Sequence, residues 1–223
     1  MNKKKIFIAV DTNKISRAKK IIRDTQTKKI KVGYKFGLEF FYSKDGRKFL
    51  SKLKNQTIFL DLKLNDIPNT VSSALKSLKN LKIAYLTVHL SSGLNALKEL
   101  KKESKNIKIA GVTTLTSLNN KDLKEIGFNK KVNELVKHQA KLAKKAKLDA
   151  IICSGHEIRS VKTIFKKEII TPGIKIRNIK NDQKRIMNPK DAFAAGSNWL
   201  VIGRSITSGN IKMNMKNFLE NYL

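Results

Sequence analysis

The stretch Thr57–Val71, TIFLDLKLNDIPNTV, holds a strand, the end of that strand and the entry to a helix. In an extended chain residues i and i+2 share a face, so Asp61 and Lys63 point one way while Leu60, Leu62 and Leu64 point the other. The run Thr57–Lys63 therefore predicts a buried strand that finishes on a carboxylate and an ammonium side by side. A helical period over Asn69–Leu78, entered near Pro68, predicts the helix that follows. Two such charges are costly to desolvate unless they serve each other or a ligand.

The same strand-then-helix unit recurs along the chain. Candidate strands are Ile6–Asp11, Ile30–Tyr34, Thr57–Lys63, Tyr85–Ser91, Ile107–Leu115, Ala150–Ser154, Ile169–Ile174 and Leu200–Arg204. Helical periods fall at Ile15–Thr25, Leu38–Leu53, Asn69–Leu78, Leu94–Lys102, Lys131–Lys147, Glu157–Phe165, Pro189–Ala195 and Met213–Tyr222. Eight such repeats in 223 residues predict an α/β fold, a (β/α)8 TIM barrel formed by residues 1–223 as one domain. A doubly wound sheet would show the same alternation, because a pattern in sequence does not reveal closure. The polar segment Lys175–Asn188, with six charged side chains, is longer than a usual strand-to-helix connection and predicts a mobile lid at about 175–188.

On a barrel, the polar residues at strand ends converge on one mouth. They read as Asp11, Lys31, Asp61 with Lys63, His89, Thr116, Ser154, and Gly203 with Arg204. An isolated Asp-x-Lys reads first as a structural ion pair. Asp11 and Lys31, read as ending the two preceding strands, add a second pair on the same rim, and Asp66 follows Lys63 closely. Stability alone does not account for so many alternating charges in one place, so the array reads as a reaction site.

A formal charge of +31 and a pI near 10.3 are the usual footprint of nucleic-acid binding. Here 41 of the 48 basic residues are lysines spread along the whole chain, mostly on predicted solvated helix faces, and no nucleic-acid-binding motif accompanies them. Specific nucleic-acid binding is not expected, though a positive field would hasten capture of an anionic substrate. Cys153 is the only cysteine, so no intrachain disulfide can form, and it reads as a small buried thiol. His89, His138 and His156 are too scattered to suggest a metal cage. No apolar run is long enough to span a bilayer and no signal-peptide pattern opens the chain, so a cytoplasmic protein without a membrane partner is expected.

The segment Asp61-Leu62-Lys63-Leu64-Asn65-Asp66-Ile67-Pro68-Asn69-Thr70-Val71 resembles the signature of the orotidine 5′-phosphate decarboxylase family, D-x-K-x-x-D followed by I-P-N-T-V. The resemblance runs on through Ala9-Val10-Asp11, Lys31-Val32-Gly33, Thr87-Val88-His89, Gly111-Val112-Thr113 and Leu115-Thr116-Ser117. It continues in Thr171-Pro172-Gly173-Ile174, Asp182-Gln183-Lys184-Arg185 and Val201-Ile202-Gly203-Arg204. The (β/α)8 barrel of that family agrees with the strand count.

The resemblance implies cofactor-independent decarboxylation of orotidine 5′-monophosphate to uridine 5′-monophosphate, the last step of de novo pyrimidine biosynthesis, with no metal. It makes Lys63 the proton donor to C6 of the pyrimidine, with Asp61 and Asp66 flanking the substrate carboxylate and holding Lys63. Asp11 and Lys31 would complete the charge network and reach the ribose hydroxyls. Asp66, Ile67 and Thr70 would act across the two-fold interface of a homodimer with shared active sites; by itself, Asp66 also reads as the N-cap of the helix near Pro68. The phosphate would lie near Gly203 and Arg204, beside the turn carrying Pro172, Lys175 and Arg177. Gln183 would bridge pyrimidine and phosphate, and Thr116 would bond the pyrimidine edge unless it caps a helix or turn.

Four positions depart from the family pattern. Lys175 stands where arginine is usual, and Arg177 lies two residues on. Ser205 stands where proline is common, and Leu90 and Ser92 replace alanine and glycine. These changes bear on phosphate affinity more than on reaction type. Two alternatives remain at this point: a magnesium-dependent sugar-phosphate decarboxylase or synthase on the same scaffold, and a basic nucleic-acid-binding barrel.

Overall fold

In a computed structural model, which describes residues 4–176 and 187–222, eight parallel strands close into a barrel in sequence order. They are Lys5–Ala9 (β1), Lys31–Gly37 (β2), Thr57–Leu64 (β3), Tyr85–His89 (β4), Lys108–Val112 (β5), Ala150–Ile152 (β6), Glu168–Thr171 (β7) and Trp199–Ile202 (β8). β1 pairs with both β2 and β8, which excludes the open doubly wound sheet. All eight strands were placed from sequence, with ends that moved by one to three residues.

Alternation along these strands creates two apolar compartments. Residues such as Ile6, Ile8, Tyr34, Phe36, Ile58 and Leu60 face outward and bury the apolar stripes of the surrounding helices. Phe7, Phe59, Tyr85, Ala110, Ile170 and Trp199 point into the barrel and fill it. Phe7 stacks on Trp199 with ring centroids 4.0 Å apart. Gly33 makes this filling possible, since a Cβ there would lie 2.5 Å from the Phe7 ring and 2.8 Å from the Thr57 carbonyl oxygen. The plug fills the lower part of the barrel, and a cavity opens at the C-terminal end.

Lys31 does not lie at that end, and the expectation that it does is corrected here. β2 begins at Lys31 and runs on to Gly37, past the predicted end at Tyr34. Lys31 therefore points inward at the bottom of the barrel, its Nζ 5.8 Å from the centre of the Trp199 ring. There it joins Lys5 and Lys108, both ion-paired to Glu168, which also accepts the Tyr85 hydroxyl at 2.6 Å. The inward-facing lysine at the mouth is Lys35, one helical-turn count later in sequence but roughly 13 Å along the strand at ~3.3 Å per residue.

The predicted helix over Leu38–Leu53 is two helices, Leu38–Phe41 and Gly46–Lys52. The chain turns sharply between them, and Gly46 sits so close that a Cβ would lie 1.8 Å from the Phe40 carbonyl oxygen. A short helix over Asn120–Glu125 had no apolar period to announce it, and is held at its start by a capping box between Asn119 and Asp122. No helix among the described residues is long and apolar enough to cross a membrane.

Candidate active site

Inward-facing side chains at the C-terminal ends of the first three strands meet at the barrel mouth. Lys35 Nζ donates to Asp11 Oδ1 at 3.2 Å and lies 3.5 Å from Asp61 Oδ2. Lys63 Nζ donates to that same Asp61 oxygen at 2.9 Å. The result is a row of alternating charge, Asp11, Lys35, Asp61, Lys63, that runs from solvent into the barrel and back to the rim. Asp61 is 7% exposed, and its other oxygen, Oδ1, is buried and accepts no hydrogen bond from the described residues.

Burial by itself would raise the Asp61 carboxyl, but the charges of Lys35 and Lys63 outweigh it and hold the group below the usual carboxylate range. Burial likewise works against a charged Lys35, and Asp61 and Asp11 overcome it and push the ammonium above its ordinary value. Each is ionised because the other is. His89, at the end of β4, is pushed down by burial and then by Lys63, against the pull of Asp61, and so is neutral at pH 7. Attraction between Asp61 and either Lys35 or Lys63 is worth about 5 kcal/mol at an effective dielectric of ~20, and the Lys35–Asp11 pair, with Asp11 58% exposed, far less. Removing each ion from water costs several kcal/mol, so the row nearly cancels as a stability device. Its value lies in holding charge in a fixed place.

The row forms one wall of a cavity of about 550 Å³, within the range of ~300–1,000 Å³ usual for small-molecule sites. Its floor is apolar, with Ala9, Phe59, Val112, Ile152 and Val201. Pro172, Lys175, Gly203 and Arg204 complete the lining, with Gly203 beside Asp11, where a Cβ would lie 3.7 Å from Asp11 Oδ2, and Thr116 contributes from the loop after β5. The cavity thus carries a row of balanced charge, two further cations in Lys175 and Arg204, and an apolar floor.

A family model described as "Orotidine 5'-phosphate decarboxylase / HUMPS family" matches residues 4–212. The chain belongs to this family. It is 41% identical over 209 residues to a relative from Ehrlichia chaffeensis named orotidine 5′-phosphate decarboxylase, a match covering 91% of this chain and 89% of the relative. A relative of the same name from Wolbachia sp. subsp. Brugia malayi is 42% identical over 216 residues, covering 94% of each. The crystal structure of orotidine 5′-phosphate decarboxylase from Lactobacillus acidophilus superposes with a TM-score of 0.84 at 30% identity, covering 98% of this chain and 99% of that one.

Within this orotidine 5′-phosphate decarboxylase / HUMPS barrel the residues given roles by the resemblance, Lys31 apart, fall into three groups. Asp11, Asp61, Lys63, Thr116, Pro172, Lys175, Gly203 and Arg204 all border the cavity. Asp66, Ile67 and Thr70 do not; they lie in the exposed run Asn65–Thr70, with Ile67 65% exposed. Asp66 accepts its neighbour's N–H, from Ile67, at 2.7 Å, and forms no ion pair with another described residue of its own protomer. Nor does it cap the helix Pro68–Ser77, whose N-cap position is Ile67. Arg177, Gln183 and most of the predicted lid lie outside the described residues.

Thr116 is not a helix cap, since Asn119 takes that place. Ser205, at the position where the family commonly has proline, accepts the Ile176 N–H at 3.4 Å and ties β8's end to the segment after β7. Leu90 is accommodated because Gly111 faces it; a Cβ there would lie 2.7 Å from Leu90 Cδ2. The residue missed outright was Lys35. Its signal was present, because Lys35-Phe36-Gly37 repeats the K-x-G pattern of Lys31-Val32-Gly33 nearer the end of the strand.

Proposed function

We propose that the chain converts orotidine 5′-monophosphate to uridine 5′-monophosphate and carbon dioxide, the last step of de novo synthesis of that pyrimidine nucleotide, with Lys63 as the acid. The observation that carries this is an ammonium held 2.9 Å from a buried carboxylate on the wall of a nucleotide-sized cavity in a chain of this family. In the reaction, the bond between C6 and the departing carboxyl carbon breaks and its electron pair stays on C6. The ring cannot delocalise that pair well, so a cation beside it both stabilises and quenches it. One N–H of Lys63 passes to C6 as a proton, and the neutral amine takes a proton back from water. Asp61, hydrogen-bonded to Lys63, aims the ammonium; Lys35 and Asp11 keep Asp61 ionised and offer polar contacts to a ribose.

The cations Arg204 and Lys175 suit the phosphate dianion, with the backbone at Gly203 as a further partner and Pro172 shaping the turn. Arg177, Gln183 and a lid over about 175–188 belong to the same proposal, as does a cytoplasmic place of action. Residues 1–223 are read as one domain. No metal enters the proposed chemistry, which separates it from the magnesium-dependent sugar-phosphate reading. Purified protein in excess chelator is expected to deplete the ultraviolet absorbance of orotidine 5′-monophosphate as fast as without chelator. Activity that vanishes and returns with magnesium would favour the sugar-phosphate relative instead.

A homodimer is part of this reading, because the bare run Asn65–Thr70 beside the mouth suits burial against a second copy, whose cavity Asp66, Ile67 and Thr70 would then complete. Lys63→Ala and Asp66→Ala proteins should each be inactive alone. Mixed and allowed to exchange subunits, they should regain up to about a quarter of wild-type activity, as random pairing of two-fold dimers with one intact site per heterodimer requires. No recovery despite exchange would place Asp66 in its own protomer's site or outside the chemistry.

A further inference from the structure

β3 and β4 pair in register at Phe59↔Tyr85 and Leu60↔Leu86, and then again only at Leu64↔Val88. Asp61, Leu62 and Lys63 therefore stand opposite a single β4 residue, Thr87. Such a bulge bends its strand and re-aims the side chains on it. At Lys63 the backbone enters the left-handed region, with φ of 50°. The two other non-glycine residues in that region among those described, Lys105 and Lys147, directly follow helix ends, where this conformation is common. Lys63 alone adopts it inside a strand.

A lysine does not hold that conformation without support from its surroundings. The support comes from Thr87: the Lys63 N–H, displaced from the backbone ladder, donates to Thr87 Oγ1 at 2.6 Å, and the same hydroxyl interacts with the Asp61 carboxylate that holds the Lys63 ammonium. Thr87 is fully buried on the inner face of β4, between Tyr85 below and His89 above, and does not line the cavity. Its hydroxyl has no room to move away with solvent, so the acceptor is fixed relative to the barrel wall.

We infer that Thr87 is a positioning residue, whose hydroxyl locks the left-handed backbone of Lys63 and so sets the direction in which the ammonium points. This rests on the reading of Lys63 as the proton donor. A β-branched apolar residue would pack equally well in the wall, but would leave the Lys63 N–H without an acceptor and let the bulge relax.

The test compares Thr87→Val, which keeps the shape, with Thr87→Ser, which keeps the hydroxyl, alongside Lys63→Ala. Active sites are counted by titration with uridine 5′-monophosphate, so that loss of folded protein does not enter kcat. T87V is expected to lower kcat per site by about 10- to 100-fold, the scale of a displacement of about 1 Å at the reacting group, with KM nearly unchanged. T87S is expected to restore kcat to near wild type. If T87V does not fold, Thr87→Ala is measured by the same criterion. Wild-type kcat per site in the apolar variant, or equal impairment in T87S, would overturn the inference while an inactive Lys63→Ala leaves the proton-donor reading intact. A Lys63→Ala protein that still turns over would overturn both.

Discussion

Lys63→Ala is expected to lower kcat/KM for orotidine 5′-monophosphate by at least about 10,000-fold, because it removes both the proton and the charge that meet the carbanion. General-acid catalysis contributes about 100- to 10,000-fold, and a fixed charge on a developing anion about another 100- to 1,000-fold. The two losses fall on the same step, so kcat carries them and affinity for uridine 5′-monophosphate does not. Lys63→Arg separates them. A guanidinium keeps the charge but does not give up its proton at neutral pH, and its planar fork does not fit where a point charge sits 2.9 Å from Asp61. It is therefore expected to bind the product and remain inactive. Turnover by Lys63→Arg within ten-fold of wild type, a factor worth ~1.4 kcal/mol of barrier, would show that another group delivers the proton.

What the sequence could convey about this site depends on how each residue is held. Asp61 and Lys63 were legible because two charges at i and i+2 closing an apolar run have few structural uses, and both do reach the cavity wall. Gly203 and Arg204 were legible for a similar reason, an abrupt change from Trp199–Ile202 to polar residues. Eight repeats of one alternation made a barrel the expectation, and the pairing of β1 with β8 shows its closure. Strand ends were less legible, since an inward-facing lysine satisfies the period-two pattern equally well at the bottom of β2 and at the top. Lys31 and Lys35 share one face, and only the position where pairing with β1 and β3 stops distinguishes them. The bulge at Lys63 left no trace at all, because Asp61-Leu62-Lys63-Leu64 alternates as any regular strand would. Its evidence lies in β4, where one threonine stands opposite three residues.

Lys35 and Lys31 accordingly provide a test with opposite expectations for two lysines four residues apart on one strand face. Lys35→Met removes the cation between Asp11 and Asp61, at 3.2 and 3.5 Å, and leaves Asp61 with Lys63 as its only ion-pair partner among the described residues. The Asp61 carboxyl then rises, since burial is opposed by one charge where there were two. Lys63 loses its fixed counter-charge as that carboxyl takes up a proton. The expected loss in kcat/KM is about 100- to 1,000-fold, the scale of removing one preorganised charge from a water-poor site. It should deepen as pH falls, because the Asp61 carboxyl, having lost one of the two charges that hold it down, takes up a proton at a higher pH than in the wild type. Stability falls by less than the ~3–5 kcal/mol typical when a buried pair is broken, because one partner remains. Lys31→Met, at the barrel floor, loses only a contact over the Trp199 ring, worth about 0.5–1 kcal/mol, and should turn over like wild type. Steady-state assays of both variants well below their melting temperatures decide the matter. Loss of activity in Lys31→Met with Lys35→Met unaffected would shift β2 by four residues against its neighbours. That shift would carry Lys35 off the charged row and remove the physical reason for Asp61 to be ionised.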